Sequence, residues 1–111
     1  MQNFSGVLEA FTQQGSEGLI EYTLWPDNHA ELKRHFPLPL RCGDELKIFD
    51  ENNNLLWHGT LNLVPRRDFW DRAKRNDLLH AATRQKDVPY ADWLNWFCHD
   101  PPLRAELTTK N

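Results

Sequence analysis

Residues 65–75, PRRDFWDRAKR, set Arg66, Arg67, Arg72, Lys74 and Arg75 around the adjoining rings of Phe69 and Trp70. A single-stranded nucleic acid is gripped by this mixture: cations for phosphates and π faces for bases, each stacked base contributing about 1–3 kcal/mol. Arg and Trp are also the residue types that dominate the energetics of protein–protein contacts. Asp68, Asp71, Asp77 and Asp87 dilute the track, so residues 66–87 hold seven basic and four acidic side chains, a balance of +3. The competing reading is a solvated loop of mixed sign in which Phe69 and Trp70 only pin the chain to the fold.

Trp96 is the second residue whose position asks for a role. In DVPYADWLNWFCHDPP, residues 87–102, a helical period places Tyr90, Trp93, Leu94 and Phe97 on one face, with Cys98 at its margin. Asp92, Asn95 and His99 fall opposite, and Trp96 lies on the flank. A ring there is covered either by another segment, residues 65–88 being nearest in the chain, or by a partner. Arg66, Arg67, Phe69, Trp70, Arg72, Lys74, Arg75 and Trp96 are accordingly the candidate contact residues.

Catalytic and metal-binding patterns are thin. His29, His35, His58, His80 and His99 show neither HxH nor HExxH spacing. Ser16 sits in a Gly-Ser-Glu-Gly turn without the strand–turn–helix setting of a hydrolase elbow. Cys42 and Cys98 form no CxxC, and Cys98 reads as a small hydrophobe. Phosphate-binding and dinucleotide fingerprints are absent. No catalytic residue, metal ligand or cofactor is assigned; a small enzyme would require two of His58, His80, His99 and Asp92 to meet in one pocket.

The totals bound what can position these residues. The chain has 111 residues, 40% apolar and 26% charged, which suits a single domain spanning 1–111. Its net charge of −3 is polarised, −5 over residues 1–65 and +2 over residues 66–111, which disfavours a chain that binds nucleic acid along its whole surface. No stretch is apolar enough to span a membrane, no apolar run follows Met1, and a cytoplasmic location with reduced thiols is expected.

Before residue 65 the apolar pattern has mostly period two. NFSGVLEAFT and LIEYTLW flank QQGSEG, predicting a hairpin of residues 4–12 and 19–25. Pro37 and Pro39 both lack an N–H on the same side of an extended chain, so residues 32–40 form an edge strand or a polyproline-like crossing. Residues 41–50 and 55–64 make a second hairpin through Asn52-Asn53, whose side chains tolerate left-handed backbone. Along the returning strand Leu55, Trp57, Leu61 and Leu63 are expected on one face, with Gly59 a bulge or corner. Residues 65–88 give a poor apolar stripe and read as a long loop. A helix follows at 89–99, with Asp87 or Val88 as cap and Pro89 in its first turn, and LRAELTT makes a closing strand.

The strand–Gly-Asp–strand–hairpin rhythm of LPLRCGDELKIFDENNNLLWHGTL resembles that of SH3-like and other small barrels. The expected fold is α+β: a curved, mainly antiparallel sheet of about six strands, forming a small partly open barrel, with one C-terminal helix. The expected function is a non-catalytic binding module for a protein or peptide, using the basic-aromatic loop and the helix flank. The proline-bearing edge at 32–40 is a second surface. Single-stranded nucleic-acid binding through the same loop is the alternative.

Overall fold

The computed structural model describes residues 2–12, 20–33, 35–65 and 83–110. In chain order these form β1 (Asn3–Thr12), β2 (Ile20–Pro26), β3 (Leu38–Pro39), β4 (Glu45–Phe49) and β5 (Leu55–Thr60). They continue as β6 (Leu63–Pro65), β7 (Thr83–Gln85), helix α1 (Tyr90–Phe97) and β8 (Arg104–Thr108). The fold is α+β, with a six-stranded antiparallel sheet in the order β3-β2-β1-β8-β4-β5 and a separate β6–β7 pair.

The last strand is the centre of the sheet. β8 pairs with β1 on one side and β4 on the other, joining the two hairpins. Its alternation explains why it can: Ala105 and Leu107 are buried, while Arg104 and Glu106 are exposed on the other face. Leu8, Tyr22, Leu24, Leu46 and Ile48 share the buried face, which α1 covers with Trp93 and Phe97. Tyr22 packs edge-on against both rings, with centroids 5.7 Å and 5.0 Å away. The opposite face carries Glu45, Lys47, Arg104 and Glu106, all exposed. Arg104 forms a bidentate pair with Asp27, whose carboxylate raises the guanidinium's pKa.

Glycine matters most at residue 6. Gly6 faces Ala105 of β8 and Pro26 of β2, and a Cβ there would stand 1.8 Å from the Trp25 carbonyl oxygen. The β1–β2 pair approaches too closely at this point for any side chain.

Several expectations hold in detail. β3 is an edge strand, as Pro37 and Pro39 require. Asn53 takes φ 65° in the β4–β5 turn. Asp50 organises that turn, its carboxylate accepting N–H bonds from Asn54 at 2.8 Å and Asn52 at 2.9 Å. These bonds, the Asn54 backbone N–H first, hold the Asp50 carboxyl below its usual pKa.

The sheet ends in two edges, β3 and β5, with no pairing between them among the described residues, so it is unclosed, which is compatible with the expected open form. Other expectations are corrected. The segment 65–88, expected as a long loop, contains β7, because Thr83–Gln85 pair with Leu63–Pro65. The helix is Tyr90–Phe97, shorter than 89–99, with Pro89 as N-cap at ψ 136° in place of Asp87 or Val88. The extended ψ keeps Pro89 outside the helix, although its carbonyl accepts the Trp93 N–H at 3.0 Å. The irregularity in the second hairpin is not at Gly59. It lies where Ile48 pairs with Trp57 and Phe49 with Leu55, leaving Leu56 as the extra residue. The bulge turns Leu55 away from the face of Trp57.

Candidate functional site

Arg66, Arg67, Phe69, Trp70, Arg72, Lys74 and Arg75 lie outside the described residues. The residues on either side of residues 66–82, Pro65 and Thr83, stand opposite each other as the terminal pair of the β6–β7 ladder.

Trp96, the remaining candidate, is half-buried on α1. Its ring lies 6.4 Å from that of Trp57 at an interplanar angle of 30°, and 6.4 Å from that of Trp93 at 64°. Trp57 in turn meets Trp93 edge-on at 6.3 Å. Cover for Trp96 among the described residues thus comes from β5, an element that no local pattern places there. Gly59 explains the arrangement. Two residues along a strand share a face, and a Cβ at Gly59 would sit 2.6 Å from the Trp57 ring. The glycine leaves that space to the indole, which reaches Trp93 and Trp96.

β5 is also an edge strand of the sheet among the described residues. Leu55 is 55% exposed and Leu56 43%, the two largest apolar exposures on the strand. At its far end Leu61 donates its N–H to Asp44 O at 2.7 Å and accepts from Gly43 N–H at 2.9 Å, so the backbone of residue 61 points toward β4. By alternation His58 and Thr60 direct their N–H and C=O groups away from β4. There the buried side chain of Gln85 intervenes. Its Oε1 accepts the Asn62 N–H at 2.8 Å, and its Nε2 donates to Thr60 O at 3.1 Å. One side-chain amide does for residues 60 and 62 what the backbone of another strand would do.

Gln85 is 4% exposed, so its replacement by leucine strands the Asn62 N–H and Thr60 C=O in a half-buried setting. We expect Gln85→Leu to cost about 2 kcal/mol, with each orphaned group contributing about 1–3 kcal/mol in full burial. Urea unfolding and hydrogen exchange at the Asn62 amide measure this. A loss below about 0.5 kcal/mol with unchanged protection would mean the amide is dispensable.

The proline-bearing edge borders a groove of about 380 Å³, lined by Phe4, Leu32, Leu38 and Pro39 with Arg41 and Asp44. Leu32 is 42% exposed and Phe36 69%. Asp44 is buried and accepts the Lys110 backbone N–H at 2.9 Å, which fixes its carboxylate as part of the wall.

The remaining titratable groups do not converge among the described residues. His99 places Nδ1 2.9 Å from Pro101 O and Nε2 3.5 Å from Glu51 Oε1. His58 is exposed on β5, Asp92 is exposed on α1, and His80 lies outside the described residues. Cys42 and Cys98 are free and exposed, so Cys98 does not pack as the hydrophobe its position suggested. Among the described residues, no group of three or more His, Cys, Asp and Glu side chains could hold a metal ion. Among the same residues, no helix is long and apolar enough to cross a membrane.

Comparison with known proteins returns nothing: no family model, curated protein or solved structure matches the chain.

Proposed function

We propose that this chain is a non-catalytic binding module whose partner is a protein or peptide. Its contact surface combines the flank of α1 with the basic-aromatic segment that β6 and β7 bracket. The observation that carries the reading is Trp96: a half-buried indole on the helix flank, supported from beneath by Trp93 and from the side by Trp57. An aromatic ring held rigid by other rings, with part of its surface in water, is the kind of anchor that contributes most to an interface. Arg66, Arg67, Arg72, Lys74 and Arg75 supply cations for an acidic rim, and Phe69 and Trp70 supply further apolar area. In this reading the six strands are a partly open barrel of SH3-like rhythm, acting in the cytoplasm, where the free thiols of Cys42 and Cys98 stay reduced.

The test is selection of peptides from a random display library on the immobilised full chain, followed by titration of the selected peptides in solution. Trp96→Ala and the double change Arg66→Ala with Arg67→Ala are each expected to weaken them at least about tenfold, with folding unchanged. Equal affinity for wild type and both variants would overturn the surface. A mixed-sequence oligonucleotide titrated at two salt concentrations is the control. Tight, steeply salt-dependent binding without selectable peptides would replace the peptide with single-stranded nucleic acid.

A further inference from the structure

We propose that the groove bordered by β1, β3 and β8 is a binding site for a free α-amino acid with a large apolar side chain. It shares no residue with the surface built on Trp96 and residues 66–75, so the two readings stand or fall separately.

The groove is lined wholly by described residues, and its volume of about 380 Å³ lies within the roughly 300–1,000 Å³ of small-molecule sites. Its apolar wall comes from three elements and a turn. Phe4 and Leu107 oppose each other across β1 and β8, which puts both side chains on the buried face of the sheet. Leu38 comes from the edge strand β3. Leu32 follows β2, held by turns in which its N–H bonds Asn28 O and the Lys33 N–H bonds Ala30 O, both at 3.1 Å. It is 42% exposed, so this wall is open to water.

The charged wall is a single turn. Asp44 N–H bonds Arg41 O at 3.3 Å, closing four residues and bringing the two Cα atoms within about 7 Å. Gly43 takes the third position at φ 94°, a conformation that side chains disfavour. Arg41 and Asp44 both line the groove, yet they form no ion pair with each other. The ion pairs among the described residues are His99–Glu51 and Arg104–Asp27. Asp44 is buried, with Oδ1 fixed by the Lys110 backbone N–H at 2.9 Å. That bond occupies one of the carboxylate's roughly four acceptor sites.

A fixed anion and a separate cation beside an apolar wall complement a zwitterion. An α-amino acid carries its ammonium, its carboxylate and its side chain on one carbon. The ammonium donates to Asp44, the carboxylate accepts from the Arg41 guanidinium, and the side chain covers Phe4, Leu32 and Leu38. Both polar contacts are charge-assisted, the stronger class of hydrogen bond. An amine alone leaves Arg41 unmatched, and an acid alone meets the charge of Asp44. A peptide sets its two terminal charges a whole chain apart. For a ligand of so few atoms the expected Kd is about 10 µM to 1 mM.

Calorimetric titration of the full chain with L-phenylalanine, N-acetyl-L-phenylalanine and L-phenylalanine amide tests this. The free amino acid should bind at least about tenfold tighter than either derivative, each of which lacks one charge. Arg41→Gln should weaken phenylalanine at least about tenfold and leave the amide unchanged. Asp44→Asn, which keeps an acceptor for Lys110, should weaken phenylalanine and leave the N-acetyl derivative unchanged. Should that variant unfold, Arg41→Gln and Leu32→Ser, both at exposed positions, carry the test. Backbone amide shifts on titration should centre on Leu32, Asp44 and Thr109. Trp96→Ala should bind phenylalanine as wild type does. Equal affinity for the three compounds, shifts centred elsewhere, or no binding at 5 mM, about fivefold above the weakest Kd expected, would overturn the proposal. So would a peptide that shifts these amides where phenylalanine does not.

Discussion

Gly6→Ala is expected to destabilise the fold by roughly 3 kcal/mol or more, a large share of the ~5–15 kcal/mol that holds a domain together. The added methyl would stand 1.8 Å from Trp25 O, 2.7 Å from Trp25 C and 2.9 Å from Pro26 Cα. All three are backbone atoms of the adjoining strand, so no rotamer change can relieve the contact. Separating β1 from β2 would disturb a ladder that runs from Gly6 to Thr12. It would also displace the turn in which Asp27 N–H bonds Ser5 O at 2.8 Å. Gly59→Ala is the instructive comparison. The three atoms nearest its methyl all belong to the indole of Trp57, the first at 2.6 Å, and an indole can rotate. We expect Gly59→Ala to cost about 1–2 kcal/mol and to change tryptophan fluorescence as Trp57 shifts against Trp93 and Trp96. Urea unfolding of both variants decides the matter; a Gly6→Ala loss below that of Gly59→Ala would contradict the steric account.

That contrast also marks what a sequence can disclose. Gly6 looks like any glycine in a strand, because the carbonyl that excludes a side chain belongs to residue 25. The elements themselves were readable wherever a local rule governs them. Pro37 and Pro39 announced an edge, Asn52-Asn53 a left-handed turn, and Pro101-Pro102 the end of the helix. The buried face of α1 followed from the spacing of Trp93 and Phe97.

Relationships between distant elements were not readable. The alternation of Leu103, Ala105 and Leu107 predicts a strand with one buried face, but nothing local says that it lies between β1 and β4. Thr83-Arg84-Gln85 carries no periodicity, and β7 is a strand because it pairs with Leu63–Pro65, with Gln85 adding side-chain bonds to Thr60 and Asn62. Leu55-Leu56 did hold a signal: two adjoining leucines break strict alternation, which a bulge restores. The candidate site was legible to the same extent. The oddity of Trp96 on a helix flank follows from helical spacing alone. Its neighbour Trp57 required the three-dimensional path of β5, with Gly59 as the only hint in the chain.

Trp93→Ala should be the most damaging truncation in the core, at about 3–5 kcal/mol. Trp93 is fully buried, and its ring lies within 6.4 Å of those of Tyr22, Trp57, Trp96 and Phe97. Removing it opens a space that four aromatic side chains, each held by its own strand or helix turn, cannot collapse to fill. A second effect runs the other way. The Trp93 Nε1–H is buried and finds no acceptor among the described residues, a condition that costs about 1–3 kcal/mol for a typical polar group. Trp93→Phe removes that donor while keeping a ring, so its loss should be less than half that of alanine. Far-UV circular dichroism in urea gives both values without depending on tryptophan emission. The alanine variant should also loosen Trp96, raising its quenching by acrylamide, because Trp93 separates that ring from the core. Equal losses for phenylalanine and alanine would mean that the indole nitrogen is satisfied in solution. An alanine loss under about 2 kcal/mol would mean that the aromatic cluster can repack around the gap.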